Sequence, residues 1–247
     1  MNEEDFGRKL VIPGDEIGSG KAGHNAYEED GKVLSKVVGL AERRNGMAFV
    51  IPLSGIYSPK RGDGVVGKIQ EVSFSKWIVD VNSPYDAVLP INEAVDEFID
   101  FTKTDLTKYF NYGDMVFAEI SSVSKTKNVQ LSMRDRKCRK LREGRIIKVV
   151  PAKVPRIIGK SGSMVEMIKS MTSTQIVVGQ NGVVWIKGEN EVLAAEAILT
   201  VEKMAQKQGL TDYIKDMLEK KAGRPYEAAP PRKSDEFVAN EDFKEGD

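Results

Sequence analysis

Residues 154–171 read VPRIIGKSGSMVEMIKSM, and within them Gly159-Lys160-Ser161-Gly162 interrupts what could be one amphipathic helix. Each glycine costs a helix about 1 kcal/mol, so a pair at this spacing calls for a reason beyond local folding. The residue types suit a phosphate. Glycines let a backbone approach closely, Lys160 supplies charge, Ser161 can donate a hydrogen bond, and a helix starting at Gly162 presents free amides. Arg156, one turn upstream, adds a second cation. Residues 134–160 hold eleven Lys or Arg against Asp135 and Glu143, although the whole chain balances 37 basic against 37 acidic residues. A basic block running into a glycine loop is the electrostatic footprint of a polyanion site. For the first half of the block, a solvated connector is an equally simple reading.

Other chemistries lack their parts. One cysteine, Cys138, and one histidine, His24, cannot build a disulfide framework or a Cys/His zinc site, and they lie too far apart in sequence to read as a nucleophile pair. His24 falls in GKAGHNAY, a polar turn. Carboxylates occur in turns and mixed-charge faces, so we expect no catalytic residue, no metal and no cofactor. No apolar run approaches the roughly 20 residues of a membrane span, and MNEEDFGRK is too charged for a signal peptide. The expectation is a soluble, cytoplasmic protein without a membrane partner.

The elements that must position the loop are legible from turn signals and periodicity. Residues 1–57 give short β-rich runs (RKLVIP, KVLSKVVGL, GMAFVIPLSGIY), a small β domain. Residues 58–140 give five more, VVGKIQEVS, KWIVDVN, YDAVLP, DMVFAEISSVS and NVQLSMRD, which fit a Greek-key barrel of the OB type. Between the third and fourth lies INEAVDEFIDFTKTDLTKYFNYG, a short helix or structured loop. Residues 141–209 change to strand, helix, glycine loop, helix, two strands around Gln-Asn-Gly, and a long helix with Val192, Ala195, Leu199 and Met204 on one face. Ile157, Ile158, Val165 and Ile168 are core candidates. Residues 210–222 carry Leu210, Tyr213, Ile214, Met217 and Leu218 at helical spacing, an amphipathic helix for packing on the preceding domain. Residues 223–247 hold adjacent prolines and many acids, the composition of a disordered tail. The fold class is multidomain, mostly β plus α+β.

Two modules resemble known RNA binders. The order around IIGKSGSMVEMI resembles the KH domain of the eukaryotic type, whose GXXG loop clamps about four nucleotides of single strand. GDGVVGKIQEVSFSKWIVDVN and VQLSMRD resemble an S1-type OB fold, which stacks bases on aromatics and tracks the backbone with cations. The barrel candidates are Phe74, Trp77 and Tyr85 with Arg61, Lys76, Lys125 and Lys127. Alternation places Trp77 with Val79 and Val81, a core pattern, whereas Tyr85 follows a turn proline and suits the surface.

With VIPGDEIG, GHNAY, YSPKRGDGVVGKI and WIVDVNSPYDAVLP added, residues 8 to about 210 resemble the archaeal exosome RNA-binding cap subunits, the ribosomal RNA-processing protein 4 family. Asn25 and Ala26 depart from the Gly-Thr pair expected after the histidine. The resemblance implies a non-catalytic subunit, three copies of which sit on a hexameric ring of ribonuclease PH-like subunits that shortens RNA from its 3′ end. It also implies a ring-gripping N-terminal domain and S1-type domains around the entry pore. The competing reading is a scaffold whose KH domain serves packing.

Overall fold

The computed structural model describes residues 9–44, 46–95, 105–205, 207 and 209–223. The first eight residues, most of the INEAVDEFIDFTKTDL insertion and the acidic tail from residue 224 lie outside the described residues.

Short strands separated by turns dominate the first unit: β1 (Lys9–Val11), β2 (Glu16–Gly18), β3 (Lys21–Ala22), β4 (Ala26–Glu29), β5 (Lys32–Ser35), β6 (Gly39–Arg44) and β7 (Met47–Pro52). They form two small sheets, ordered β1-β6-β7-β3 and β2-β5-β4. The three apolar runs of the sequence thus divide more finely than their length suggests. Val11, Ile17, Ala26, Val33, Ala48 and Val50 fill the core between them.

Next come β8 (Gly64–Val72), β9 (Lys76–Asp80), β10 (Ala87–Pro90), the short α1 (Ile91–Ala94), β11 (Met115–Val123), β12 (Val129–Ser132) and β13 (Arg139–Leu141). β8, β9 and β10 form an antiparallel meander, β10 runs parallel to β12, and β12 returns antiparallel to β11, which pairs with β8. That circuit closes a five-stranded barrel of OB topology. Trp77 is fully buried in it, its indole N–H donating to the Phe110 carbonyl at 2.9 Å and its ring meeting Phe110 edge-on at 5.2 Å. Trp77 is therefore core, as its alternation indicated, and unavailable for stacking. β13 adds a sixth strand along β11, so Arg139–Leu141 in the basic block belongs to a sheet rather than to a free connector.

The third unit is β14 (Arg145–Lys148), α2 (Val154–Ile158), α3 (Ser163–Thr172), β15 (Thr174–Val178), β16 (Val183–Gly188) and α4 (Glu191–Lys203), followed by α5 (Leu210–Ala222). Its antiparallel sheet runs β14-β16-β15, the eukaryotic-type KH arrangement. Ile157, Val165 and Ile168 are buried as expected, with Ile158 packed at the margin. The α4 face is corrected in part. Ala195 is buried and Met204 packs against the core as expected, but Val192 is 67% exposed and Leu199 borders solvent, while Ala194, Ala197, Ile198 and Val201 face the core. Alanines let the helix approach closely, and the small side chains at 194 and 197 shift the stripe away from Val192 and Leu199. α5 buries Leu210, Ile214 and Leu218 against the KH helices, but Tyr213 points to solvent.

Barrel and KH domain share a buried seam. Val66, Leu141, Val183 and Trp185 form one buried cluster, joined by Met115, Phe117 and Val177. Asn181, at the tip of the β15–β16 hairpin, is completely buried at this seam. Its amide nitrogen donates to the Val66 and Val81 carbonyls at 2.8 and 2.9 Å, its side-chain oxygen accepts from the Val66 amide at 3.3 Å, and its own carbonyl accepts from Asn82 at 3.0 Å.

Candidate nucleic-acid interface

The glycine loop joins α2 to α3 through one tight turn at Lys160–Gly162. Its two glycines have different causes. At Gly159 (φ +78°) an added Cβ would lie 2.7 Å from the Met164 backbone nitrogen and Cβ, so this glycine is required by the packing of α3. At Gly162 (φ +81°) a Cβ would meet nothing within 4 Å. There the left-handed conformation favours glycine, and the space above it is open to a ligand. Ser161 also sits left-handed at φ 52°, an uncommon place for a residue with a side chain.

No side chain caps α3, whose N-cap is Gly162. Its first amides consequently lie beside the exposed Lys160 and Ser161, the arrangement that stabilises an anion at a helix start. Arg156 is exposed one turn away, but its guanidinium donates to the Lys207 carbonyl at 3.2 Å. Arg156 thereby ties α2 to the segment before α5, a use that its place near the loop did not reveal.

The strand directions sort the barrel candidates into two groups. Arg61 precedes β8, Tyr85 lies in the β9–β10 loop, and Lys125 and Lys127 lie in the β11–β12 turn, so all four share one end of the barrel. The same end carries Asn82, which holds the KH hairpin. Lys76 begins β9 beside Phe74, at the opposite end. All five candidates are exposed, Tyr85 only moderately. Lys127 has φ +66° and its amide donates to the Ser124 carbonyl at 3.0 Å, which fixes the turn that presents Lys125. Tyr112, 72% exposed, is a surface aromatic that sequence reasoning passed over, and NYGD marks only a turn around it.

Part of the basic block is engaged within the fold. The Lys140 ammonium bonds the Asp114 carboxylate, Arg134 pairs with Glu93 at 3.5 Å, and Lys148 donates to the Asn82 side chain at 3.0 Å. Burial alone would raise the Asp114 carboxyl, but the Lys140 bond and the Asn111 amide hold it below the usual carboxylate range. Cys138 is half-buried, and burial followed by the Asp135 charge pushes its thiol up, away from nucleophilic use.

Comparison with known proteins follows the same division of the chain. Residues 8–54 match the family described as exosome RNA binding protein RRP4 N-terminal domain, residues 56–122 match RRP4, S1 domain, and residues 144–192 match KH domain. The exosome complex component Rrp4 of Pyrococcus furiosus is 44% identical over 218 residues, covering 85% of this chain and 83% of that relative. Its counterpart from Thermococcus kodakarensis is 45% identical over 218 residues, covering 85% of each. A crystal structure assigned as an exosome complex RNA-binding protein superposes with a TM-score of 0.62 at 32% identity, covering 67% of this chain and 97% of that one. With identity at this level across all three units, the chain belongs to the Rrp4 family of exosome components.

Proposed function

We propose that this protein is a non-catalytic, cytoplasmic cap subunit of an exosome, which binds single-stranded RNA and directs it into a phosphorolytic 3′-5′ exoribonuclease ring. The observation that carries the reading is the rigid pairing of two RNA modules. The open glycine loop belongs to a KH domain whose hairpin is fastened, through Asn181, to the barrel end bearing Arg61, Tyr85, Lys125 and Lys127. Lys160, Ser161 and the α3 amides hold an upstream phosphate between Gly159 and Gly162. Arg61, Lys125 and Lys127 guide the strand, Tyr85 offers a stacking face, and Lys76 contributes to the field from the far end.

The partner ring is built of ribonuclease PH-like subunits, with three copies of this chain upon it. Docking falls to the N-terminal unit. Leu10 and Ile12 are 60% and 56% exposed, and alternation sets both opposite the buried Val11, an apolar strip suited to a protein partner. This strip also favours the second reading, a scaffold that stabilises the ring.

Fluorescence anisotropy with a labelled single-stranded RNA across a salt series separates the two. Lys160→Asp with Ser161→Asp keeps both glycines and puts two anions where phosphate should lie. Asp also tolerates the left-handed position 161 better than most residues. We expect wild-type affinity to fall by about 0.7 log unit per log unit of salt for each phosphate neutralised. The double variant should bind at least tenfold more weakly with a shallower slope. Unchanged affinity in the folded variant would leave the KH domain as architecture.

A further inference from the structure

The turn that presents Arg61 is held from behind by two side chains. Lys60, Arg61, Gly62 and Asp63 close on themselves, the Asp63 amide donating to the Lys60 carbonyl at 3.2 Å, and Gly62 at φ +86° takes the left-handed place such a turn needs at its third residue. The stem is fixed to β11. The Gly62 amide donates to the Ile120 carbonyl at 2.8 Å, and the Ile120 amide donates to the Asp63 carbonyl at 2.9 Å. Behind the turn, Tyr57 is buried in the barrel core, and its hydroxyl donates to Asp63 Oδ2 at 2.6 Å.

A phenylalanine would fill the same space in the core, so the hydroxyl needs a reason of its own. The Asp63 carboxylate stands two residues from Arg61 and across the turn from Lys60, which makes it the nearest acid in sequence to both. It pairs with neither. Among the described residues, no carboxylate lies at ion-pair distance from the exposed Arg61, and the Lys60 ammonium is turned to His24 Nε2 at 3.2 Å. Burial, then the bond to Asp63 and its charge, push the Tyr57 phenol far up, so it stays a protonated donor. A charge-assisted bond made to a buried donor outcompetes an ion pair that water surrounds.

We propose that Tyr57 is a positioning residue for RNA binding: its hydroxyl holds the Asp63 carboxylate away from Arg61, so that the guanidinium meets the RNA backbone with its charge uncompensated. The inference rests on the guiding role of Arg61 in the proposed function and adds the acid that this role must keep at a distance. Without the hydroxyl, the Asp63 carboxylate loses its inward partner and swings to the guanidinium on the same turn. An internal anion then competes with every phosphate that reaches Arg61.

The test is RNA anisotropy on the full-length chain with Tyr57→Phe, with Asp63→Asn, with both together and with Arg61→Gln. Tyr57→Phe keeps the ring that fills the core, and thermal unfolding checks that it folds. It should bind single-stranded RNA about three- to fivefold more weakly than wild type, with a salt slope shallower by up to about 0.7. Adding Asp63→Asn should restore the affinity, because no carboxylate is then left to pair with Arg61. Asp63→Asn alone, where the hydroxyl still has an acceptor, should change binding far less than it does beside Tyr57→Phe. A merely structural hydroxyl gives no such rescue, since a loosened turn stays loose when its second side chain is also changed. Wild-type affinity in Tyr57→Phe alongside weaker binding by Arg61→Gln overturns the inference and leaves the proposed function standing. Weak binding without rescue, or an equal gain from Asp63→Asn with and without the hydroxyl, overturns it as well. Wild-type affinity in Arg61→Gln takes Arg61 out of the RNA path and overturns both.

Discussion

The barrel is joined to its two neighbours by opposite means. Toward the KH domain the seam is buried. Asn181 is wholly buried, its side chain makes three hydrogen bonds to main chain of the barrel, and Trp185 packs beside Val66 and Leu141. Toward the N-terminal unit the contact is open, a cleft of mixed apolar and polar walls that touch through an exposed Lys60–His24 hydrogen bond. The first design fixes the angle between two RNA modules, since a buried amide with three partners has one satisfactory placement. The second holds less firmly, since an exposed hydrogen bond competes with water. Under the proposed function, docking by one domain and RNA binding by two gain from stiffness on one side and compliance on the other.

The largest effect expected from breaking this contrast is at Asn181. Asn181→Ala leaves the Val66 amide and the Val66 and Val81 carbonyls buried without partners, at about 1 to 3 kcal/mol for each unsatisfied group. We expect a loss of about 3 kcal/mol or more in the denaturant unfolding of the barrel and KH domain, with faster exchange of the Val66 amide. A loss below about 1 kcal/mol would mean that the seam is not a rigid joint. Trp185→Phe is milder. It removes the indole N–H bond to the Glu143 carbonyl, 2.6 Å long, and opens a small cavity at the same seam. About 1 to 2 kcal/mol should be lost in the same transition, with the N-terminal unit unaffected.

The two junctions also differ in how far the amino-acid sequence reveals them. Strand order, the OB circuit and the KH arrangement follow from local patterns: alternation in KWIVDV, turn residues, and the glycine pair. Trp77 could be placed inward from Val79 and Val81 alone. The Gln-Asn-Gly turn is equally visible as a turn, but the partners of Asn181 lie 100 and 115 residues away in sequence. Nothing local distinguishes an asparagine that caps a loop from one that plugs a domain seam. The same limit hid the Arg156 bond to Lys207, the Lys140 pairing with Asp114, and β13, whose RKL reads as charge because its strand partner is remote. At the glycine loop, both glycines were legible as a pair. Only packing separates Gly159, excluded from larger side chains by Met164, from Gly162, which faces open space.

The smallest effect belongs to the open junction and is read through pH. The His24 imidazole is held below 6.5 in the folded chain, so the unfolded chain binds more protons just below that pH. Stability from this group is therefore fully present above 6.5 and is lost as pH falls through the lowered folded value. His24 is largely exposed, and solvent screening confines the loss to about 0.5 kcal/mol or less. Comparing thermal unfolding of the N-terminal unit at pH 7.5 and 5.5, in wild type and in His24→Gln, should show a slightly smaller acid loss in the variant. The Asn181 seam, which has no titratable side chain among its hydrogen-bond partners, should show no matching difference. An acid response concentrated at the KH seam would reverse the assignment of stiff and compliant sides.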